Sequence, residues 1–579
     1  MTDVPNPYAL RSRRDKVLGR AKTLETERSS WMSQWQEING VLLPRTGRFF
    51  INDTNRGDRK EDILDDTATA GVTTLGSGMQ YGMTSPSRPW VKVETEDTDL
   101  MENADVSRWC DQVTQKTLTI FARSNVYNTL HQTYQEQGGY GTAAAVVLPD
   151  FDTVIHCYPM TIGEYCLAAN DKNQIDTLGR HLQMTVMQIV QKFVARGRIL
   201  SGSQQGWEWH RVSTTVKNLW DRGQFDTWVE LYHLIEPRTD RDVTRMDAQN
   251  MPWASTMIEV AGDGDAVVNE SGFRHFPVLA PRWEVTSNDV YGSNCPGMRA
   301  LGAIKQLQFE HMRKMQGIDY QTNPPLQVPT SLKGKDSDFL PGGVSYYDEM
   351  TGSKTGVRSA FEVQLDLSAL LVDIQDVRQL INNAFYVDTF LMLERMQGIQ
   401  PRNEREVEER HQEKLLMLGP VVERQQNELL GPLIDITFDA AMSAGIYPPI
   451  PEALQGKPLK FVYTSVLAQA QRRASMAGVD RVIAATGAIA AAKQDPSVWD
   501  NVDVDQAIQK AGTYESVDPE IMRNKDDIAR IRQARVEAQQ RQQQAAEAEQ
   551  AANTAKTLSQ AGMTTDNALT QVVRGFSTQ

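Results

Sequence analysis

The chain has 579 residues and a formal charge of −14, because 74 aspartate and glutamate residues outnumber 60 lysine and arginine residues. Hydrophobic residues make up 40% and charged residues 23%, a composition that indicates folded globular structure and excludes a disordered or collagen-like chain. The acidic balance argues against a protein that grips nucleic acid over its whole surface, but it is compatible with one that lets DNA pass.

The cysteines and the apolar stretches indicate the redox environment of the chain and whether it enters a membrane. The sequence has no C-x-x-C pair, so it predicts neither a disulfide framework nor a zinc site and favours a reducing compartment. The segment Met1–Tyr8 is polar, so we expect no signal peptide. The most apolar stretch, Val482–Ala492, has about 11 residues where a bilayer span needs about 20, so we expect a packed helix and no membrane partner.

The N-terminal quarter of the chain has the apolar period of helices. Apolar residues recur there at spacings of three and four, which is typical of amphipathic helices. The predicted helices are Tyr8–Leu43, Asp62–Met83 and Asp105–Glu136. Between the first two, Arg45–Arg59 is rich in arginine, asparagine, aspartate and glycine, and this composition predicts a loop.

The period then changes to an alternation of β-branched and aromatic residues, which is typical of strands. The predicted strands are Ala143–Val154, Tyr158–Leu167, Trp207–Glu236 and Phe276–Trp283. A short helix, Thr185–Arg196, interrupts them. The turn residues Gly262–Asp265 separate two further runs, Thr256–Val260 and Ala266–Asn269, and this pattern predicts a hairpin.

Two long helices with a compact insert between them are predicted from Pro296 onwards. The first spans about 22 residues and ends at Asn323, before two prolines that cannot continue a helix. The second spans about 27 residues, with its apolar stripe between Leu367 and Leu391. The insert, Leu326–Phe361, is rich in turn residues, so the sequence predicts a helical hairpin with a small module at its tip.

The C-terminal part alternates polar segments with helices. Gln397–Glu409 is polar and charged, and the helix predicted over Glu404–Leu430 should kink near Pro420. Ser465–Ala492 is an alanine-rich predicted helix, and a last helix begins at about Asn524. This last helix is rich in alanine and glutamine, and its apolar residues are too sparse for a core. We therefore predict a solvated helix, either part of a multimeric coiled coil or fraying into a disordered end.

The sequence contains no clustered signature of catalysis. The phosphate loop G-x-x-x-x-G-K-[ST], the zinc motif H-E-x-x-H and the nucleophile motif G-x-S-x-G are absent, and the eight histidines are scattered singly. Close helix packing explains Gly76-Ser77-Gly78, and a hairpin turn explains Asp263 and Asp265 better than a calcium loop does. We therefore predict a protein that is not an enzyme and has no catalytic, cofactor or metal site.

A basic cluster on the first predicted helix has two open interpretations. It forms either a solvated helix face or a contact with an acidic partner or a phosphate. Its members are Arg11, Arg13, Arg14, Lys16, Arg20 and Lys22.

An ordered series of short strings resembles one protein family. The strings are GMTSPSRPW at Gly82–Trp90, APRW at Ala280–Trp283, NPPL at Asn323–Leu326, ELLGP at Glu428–Pro432 and GIYPPIP at Gly445–Pro451. In this order, and over most of the chain, they are similar to the head-to-tail connector (portal) proteins of short-tailed bacteriophages. The series carries the resemblance, rather than any single string.

The resemblance implies an α+β, predominantly helical subunit that assembles as a ring of about twelve copies. The implied parts are a wing (1–295), a first stem helix (296–325), a clip (326–361), a second stem helix (362–396), a tunnel loop with a wing or channel helix (397–450), a crown (451–523) and an Ala/Gln-rich segment (524–579). The last part would form either a helical barrel or a disordered tail.

The resemblance also implies the function. The ring would form the channel at one capsid vertex through which a terminase packages double-stranded DNA, which later leaves the same way. The implied partners are identical subunits, DNA, the terminase, a tail adaptor and capsid or scaffold proteins. The implied location is the portal vertex of the virion, after assembly in the host cytoplasm. Two other hypotheses stay open: a different virion structural protein, such as a tail adaptor or hub ring, and a nuclease with a dispersed metal site.

Five basic residues are candidates for contact with DNA in such a channel. Arg402 and Arg405 alternate with Glu404 and Glu406 in the implied tunnel loop, a pattern that suits a weak, sliding contact. Three others on the first stem helix would form either a basic ring or a salt-bridged surface between neighbours, and these are Lys305, Arg313 and Lys314.

Overall fold

The computed structural model divides the chain into two compact units, Met1–Met476 and Ala477–Gln579. The residues it describes are 12–49, 63–101, 103–195, 206–245, 247–329, 342–347, 358–359, 367–391, 419–464, 483–489, 492 and 525–560. Both helices and sheets are present, so the α+β class is confirmed.

The regular elements within these ranges are named here in chain order. The helices are α1 (Arg13–Val41), α2 (Thr67–Met83), α3 (Thr98–Met101), α4 (Ala104–Arg123), α5 (Val126–Tyr140), α6 (Val186–Ile189), α7 (Thr214–Asp221), α8 (Pro296–Thr322), α9 (Leu367–Ala384), α10 (Val387–Phe390), α11 (Gly419–Gln425), α12 (Gly431–Ser443) and α13 (Lys525–Gln560). The strands are β1 (Val91–Thr95), β2 (Ala144–Asp150), β3 (Val154–Met160), β4 (Tyr165–Ala169), β5 (Ile175–Thr185), β6 (Trp228–Pro237), β7 (Trp253–Glu259), β8 (Val267–Phe273), β9 (Val278–Leu279), β10 (Leu326–Pro329), β11 (Val344–Tyr347), β12 (Arg358–Ser359) and β13 (Leu459–Tyr463).

The first two helices confirm the prediction from apolar spacing. Helix α1 begins at Ser12, whose hydroxyl accepts a hydrogen bond from the Asp15 amide at 3.2 Å. Helix α2 is glycine-rich because it lies close to its neighbours: a Cβ atom at Gly78 would lie 2.3 Å from Cγ of Phe390. Close helix packing is therefore the correct explanation of Gly76-Ser77-Gly78.

The prediction of one continuous helix over Asp105–Glu136 is wrong at its centre. The structure has two helices there, α4 and α5, with Ser124 and Asn125 between them. The backbone of Ser124 is extended, with φ −89° and ψ −178°, so the helical hydrogen bonds cannot continue through it. The apolar period alone does not reveal this break, because the residues on both sides keep helical spacing.

The largest sheet has five antiparallel strands in the order β4-β5-β6-β7-β8. The predicted hairpin is confirmed, since β7 pairs with β8 and Met257 lies opposite Asn269. The predicted short helix is also confirmed as α6, which continues as a π-helical turn over Val190–Val194. Helix α1 packs against this sheet, and the Arg14 guanidinium donates a hydrogen bond to the Val260 carbonyl at 2.9 Å.

The strand predicted over Trp207–Glu236 is wrong in its first half. A 3-10 turn at Trp209–Arg211 and helix α7 precede β6, and the Ser213 hydroxyl caps α7 by accepting from the Val216 amide at 3.2 Å. The aromatic and β-branched residues that suggested a strand pack instead into a small separate core. Side-chain burial, and not strand pairing, therefore explains their apolar character.

A second sheet has three strands in the order β3-β2-β9. The strand predicted over Phe276–Trp283 is reduced to the two-residue β9 and an isolated bridge between Arg282 and Thr142, because Pro277 and Pro281 cannot donate ladder hydrogen bonds. The outer edge of β3 is occupied by Asn125: its Nδ2 donates to the Cys157 carbonyl at 2.7 Å, and its Oδ1 accepts from the Cys157 amide at 2.9 Å.

Side chains also occupy the outer edge of β4 in the five-stranded sheet. The Arg28 guanidinium donates to the Tyr165 carbonyl at 2.8 Å, and the Leu167 amide donates to the Tyr291 hydroxyl at 3.0 Å. These contacts use backbone groups that an additional strand would need.

The predicted long helices on both sides of an insert are confirmed as α8 and α9. Strands β10, β11 and β12, which lie between them in the sequence, form a small sheet in the order β11-β10-β12. The second helix ends earlier than predicted, at Ala384, because Tyr386 adopts a left-handed backbone with φ 57° and the four-residue α10 follows.

The remaining elements of the first unit lie after the segment 392–418, which is outside the described residues. Helices α11 and α12 are joined by a π-helical turn at Gln426–Leu430, and the predicted kink near Pro420 falls at the first described residues of α11. Strand β13 pairs antiparallel with β1, so two segments that are far apart in the sequence form one two-stranded sheet. In the second unit, the predicted helix Ser465–Ala492 is described over 483–489 and at 492, where it is helical.

The second unit contains the predicted last helix, α13, which is 36 residues long. Its described side chains from Arg530 to Thr554 are exposed, which confirms the prediction of a solvated helix. Within the described ranges, every helix is too short or too polar to cross a bilayer.

Candidate functional site

Helices α8 and α9 are the centre of the candidate site, because they pack against each other and carry the small sheet between them in sequence. Their buried side chains belong to the main hydrophobic core of the first unit, and these are Ala300, Ile304 and Leu307 from α8 with Ile374, Val377 and Ile381 from α9. This end of the pair is thus anchored in the body of the subunit.

The same two helices leave large apolar side chains in solvent. On α8 these are Phe309, Met312, Met315 and Ile318, with exposed fractions of 51%, 41%, 54% and 38%. On α9 they are Leu371, Val372 and Leu380, with exposed fractions of 44%, 63% and 61%. We call these seven residues the apolar stripe. Several exposed large apolar side chains on two adjacent helices are typical of a surface that contacts another protein.

A buried carboxylate joins α8 and α9 to the start of α2. Asp65 accepts hydrogen bonds from Nε and Nη2 of Arg378 at 3.0 and 2.6 Å, and its Oδ2 lies 2.9 Å from Nε2 of His311. The Gln308 side chain completes the cluster by accepting from the amides of Leu64 and Asp65 at 2.7 and 3.0 Å. One carboxylate thus fixes both helices relative to a third element.

The charge state of Asp65 follows from these contacts. Burial raises the pKa of its carboxyl, but hydrogen bonds from Thr67 and Arg378 outweigh the burial and hold the pKa below its usual value. Sequence reasoning missed this cluster, because Arg378 lies 313 positions from Asp65 and no local motif signals the contact.

The cations predicted on α8 are found in three different environments. Nζ of Lys305 lies 2.7 Å from the Glu37 carboxylate of α1, so it forms a salt bridge within the subunit. The Arg313 guanidinium lies 4.8 Å from the centre of the Phe309 ring and donates to Gln316 at 3.1 Å. Lys314 is half-buried. Arg402 and Arg405 lie outside the described residues, so all five positions stay predictions as DNA contacts.

Part of the basic cluster on α1 is used inside the subunit. Arg13 pairs with Glu270 at 2.7 Å, and Arg20 lies 4.0 Å from Glu236. Arg14 donates to the Val260 carbonyl. These contacts attach α1 to the five-stranded sheet, so these three residues have partners inside the subunit, which neither interpretation of the cluster anticipated.

Carboxylate and thiol side chains elsewhere in the described chain have structural roles. Asp263 accepts from the Thr214 amide at 3.0 Å at the start of α7, so it supports a helix end. The four cysteines are buried thiols, and burial raises the pKa of Cys110 to about 11. Among the described residues, no three histidine, cysteine, aspartate or glutamate side chains are placed to hold a metal ion.

A known protein family matches most of the chain. The family described as "Bacteriophage head to tail connecting protein" matches residues 14–522. The chain belongs to this family. The match extends from α1 through the helix pair and β13, so it includes all the elements of the site described above.

Two known portal proteins are similar to almost the full length of this chain. A probable portal protein of Bordetella phage BPP-1 is 46% identical over 571 residues, which are 98% of this chain and 99% of the relative. The portal protein of Salmonella phage epsilon15 is 41% identical over 562 residues, which are 96% of this chain and 98% of the relative. The resemblance to portal proteins is confirmed.

A solved structure is similar at a much lower level. A chain from the virion of a native gene transfer agent (GTA) particle aligns with 70% of this chain and 89% of its own length, with 11% sequence identity and a TM-score of 0.26. A score this low supports no argument about the fold.

Proposed function

We propose that this protein is the portal subunit of a bacteriophage and forms a ring around a DNA channel at one capsid vertex. A terminase would package double-stranded DNA through the ring, and the DNA would leave through it. The observation that carries the proposal is the likeness to portal proteins over almost the full length of both chains. Because this family is structural, the proposed role needs no catalytic step by the subunit itself.

The implied parts of a portal subunit correspond to described elements as follows. In this proposal the wing contains α1–α7, the five-stranded sheet and the sheet β3-β2-β9, the stem contains α8 and α9, and the clip contains β10, β11 and β12. The crown and the C-terminal segment come after residue 451. The charge supports a conduit, because a net −14 per subunit repels phosphates, and each phosphate contact would slow the passage of DNA.

The apolar stripe supports assembly of identical subunits around a closed ring of about twelve copies. In a ring, the stem helices of one subunit would cover the exposed apolar side chains of its neighbour. Electron microscopy of negatively stained particles tests this arrangement: twelve-fold rings with a hole as wide as a DNA duplex are expected. Particles without a central hole would favour a tail adaptor or hub, the alternative that the relatives do not favour.

We expect Met315→Glu to reduce ring formation. A buried methionine contributes about 1.5–3 kcal/mol, so losing it at every subunit contact should raise the protein concentration needed for assembly by more than tenfold. Analytical ultracentrifugation measures the assembled fraction. Gln321→Glu is the matched control, since it adds the same charge at an exposed position of α8 outside the stripe. Equal assembly by the two variants would show that the stripe is not the subunit contact.

We expect Arg402→Ala combined with Arg405→Ala to impair the packaging or retention of DNA more than ring assembly. The two cations are proposed to make weak, sliding contacts with phosphates, so their loss should change the DNA and leave the protein–protein contacts intact. The measurement is the amount of DNA in purified heads. A matched control removes Lys172 and Arg222, two exposed cations of the proposed wing. Normal DNA content in the tunnel-loop variant would contradict the prediction.

The proposed location is the portal vertex of the virion, after assembly in the host cytoplasm. The proposed partners besides DNA and identical subunits are the terminase, then a tail adaptor at the clip, and capsid or scaffold proteins. The nuclease hypothesis gains no support, because the described carboxylates do not form a metal-binding cluster.

A further inference from the structure

Arg282 is an almost completely buried arginine, 2% exposed, whose five N–H groups all have acceptors. Nε and Nη2 donate to the two oxygens of Glu428 at 3.3 and 2.7 Å. Nη2 also donates to the Asn173 carbonyl at 2.7 Å, while Nη1 donates to the Asn173 side chain at 3.1 Å and to the Asp289 carbonyl at 3.3 Å. A lysine has neither the planar fork nor the number of donors to replace it.

Glu428 lies in the π-helical turn between α11 and α12. Turns of this kind are rare and occur frequently at functional sites. Besides the Arg282 side chain, the Arg282 amide donates to Glu428 at 2.9 Å, and Arg424 donates from one turn earlier at 3.1 Å. Arg424 lies on the same helical segment as Glu428, so it is Arg282 that holds the π turn to the core, through charge-assisted hydrogen bonds.

The next residue, Trp283, lies beside Tyr386, which caps α10, the last helix before the segment 392–418. Its ring lies 6.5 Å from that of Tyr386, centre to centre and 33° from parallel, at the left-handed break between α9 and α10. The Trp283 amide donates to the Gly141 carbonyl at 2.8 Å, which fixes the backbone at this position. Arg282 and Trp283 are neighbours in the chain, with Cα atoms about 3.8 Å apart. A shift of Glu428, which binds Arg282, is therefore coupled to a shift of Tyr386, which lies beside Trp283.

We propose that Arg282 and Trp283 form an anchor that sets the spacing between the two helical ends preceding and following residues 392–418. Arg282 is then a positioning residue for the proposed channel: it acts through Glu428 and does not touch DNA. The inference rests on the proposed function, because residues 397–409 are the proposed tunnel loop. It adds that contacts in the core of the subunit set the positions of the described residues on either side of 392–418, Leu391 and Gly419.

The test uses full-length rings and phage heads that carry Arg282→Lys, which keeps the charge and removes the fork. Rings should assemble with unchanged stoichiometry. Amide hydrogen exchange over 419–443 should increase at least about tenfold, because the network that holds the π turn is broken. Exchange in β6 and β7 should not change. Heads made with these rings should retain at least about tenfold less DNA, the readout that a merely structural role would leave unchanged.

Two further variants keep the test decisive if Arg282→Lys does not fold. Glu428→Gln keeps the shape and removes the charge, so it should show the same two effects, whereas Arg424→Ala removes one peripheral bond and should retain DNA normally. Faster exchange with normal DNA retention in Arg282→Lys or Glu428→Gln would overturn the positioning role. Unchanged exchange would overturn the anchor itself. Failure of wild-type rings to support packaging would instead contradict the proposed function.

Discussion

Replacing Asp65 by alanine should lower the free energy of unfolding of the first unit by about 3 kcal/mol. The substitution leaves the Arg378 guanidinium and the His311 ring without the carboxylate that holds them, and removing one partner of a buried ion pair costs about 3–5 kcal/mol. The lower value applies because the Arg378 side chain is 34% exposed and can be hydrated again. Chemical denaturation followed by tryptophan fluorescence measures the change.

Asp66→Ala is the control for this prediction. Asp66 precedes α2 at the neighbouring position, is exposed and makes no side-chain hydrogen bond to the helix, so its loss should change the free energy of unfolding little. A loss below about 1 kcal/mol in Asp65→Ala would mean that the two helices are held together by their apolar contacts alone.

Glu136→Gln should remove a pH dependence of the stability of the first unit. Glu136 of α5 is 1% exposed, and burial raises the pKa of its carboxyl to about 8. Its folded pKa lies above its unfolded value of about 4.5, so the folded state binds the proton more strongly and the stability falls as the pH rises from about 4.5 through about 8. Between pH 6 and pH 9 the wild type should lose about 2–3 kcal/mol more than Glu136→Gln.

Thermal or urea unfolding at several pH values measures this difference. Glu423→Gln is the matched control, since it makes the same change of side chain at an exposed position of α11. Parallel profiles for the wild type and Glu136→Gln would show that Glu136 is ionised in the folded protein at neutral pH.

The helices α8 and α9 could be predicted from the sequence, because their apolar residues keep helical spacing over many turns and Pro324 ends the first of them. The break at Ser124 could not, since it depends on a backbone conformation that serine and asparagine permit but do not require. Helix α7 was missed for a different reason: its β-branched residues and Trp220 have high strand propensity, and only the packing of Val216 and Trp220 into a separate core decides their structure.

The candidate site was less predictable than the fold. The Lys305 salt bridge with Glu37 joins positions 268 residues apart, and the acceptors of Arg282 come from three separate segments of the chain. The spacing of apolar residues along the sequence does not indicate such contacts. The sequence did contain the string around Arg282, APRW, as one member of the series that resembles the family, but that string does not indicate what the Arg282 side chain binds.

The occupied edges of β3 and β4 have a consequence for how copies of this chain come together. An open strand edge would let copies of this chain add to one another without limit, which leads to aggregation. Asn125, Arg28 and Tyr291 bind backbone groups at these two edges with side chains of the same subunit. At Cys157, Tyr165 and Leu167, the strand of a second copy would therefore meet backbone groups that already have partners.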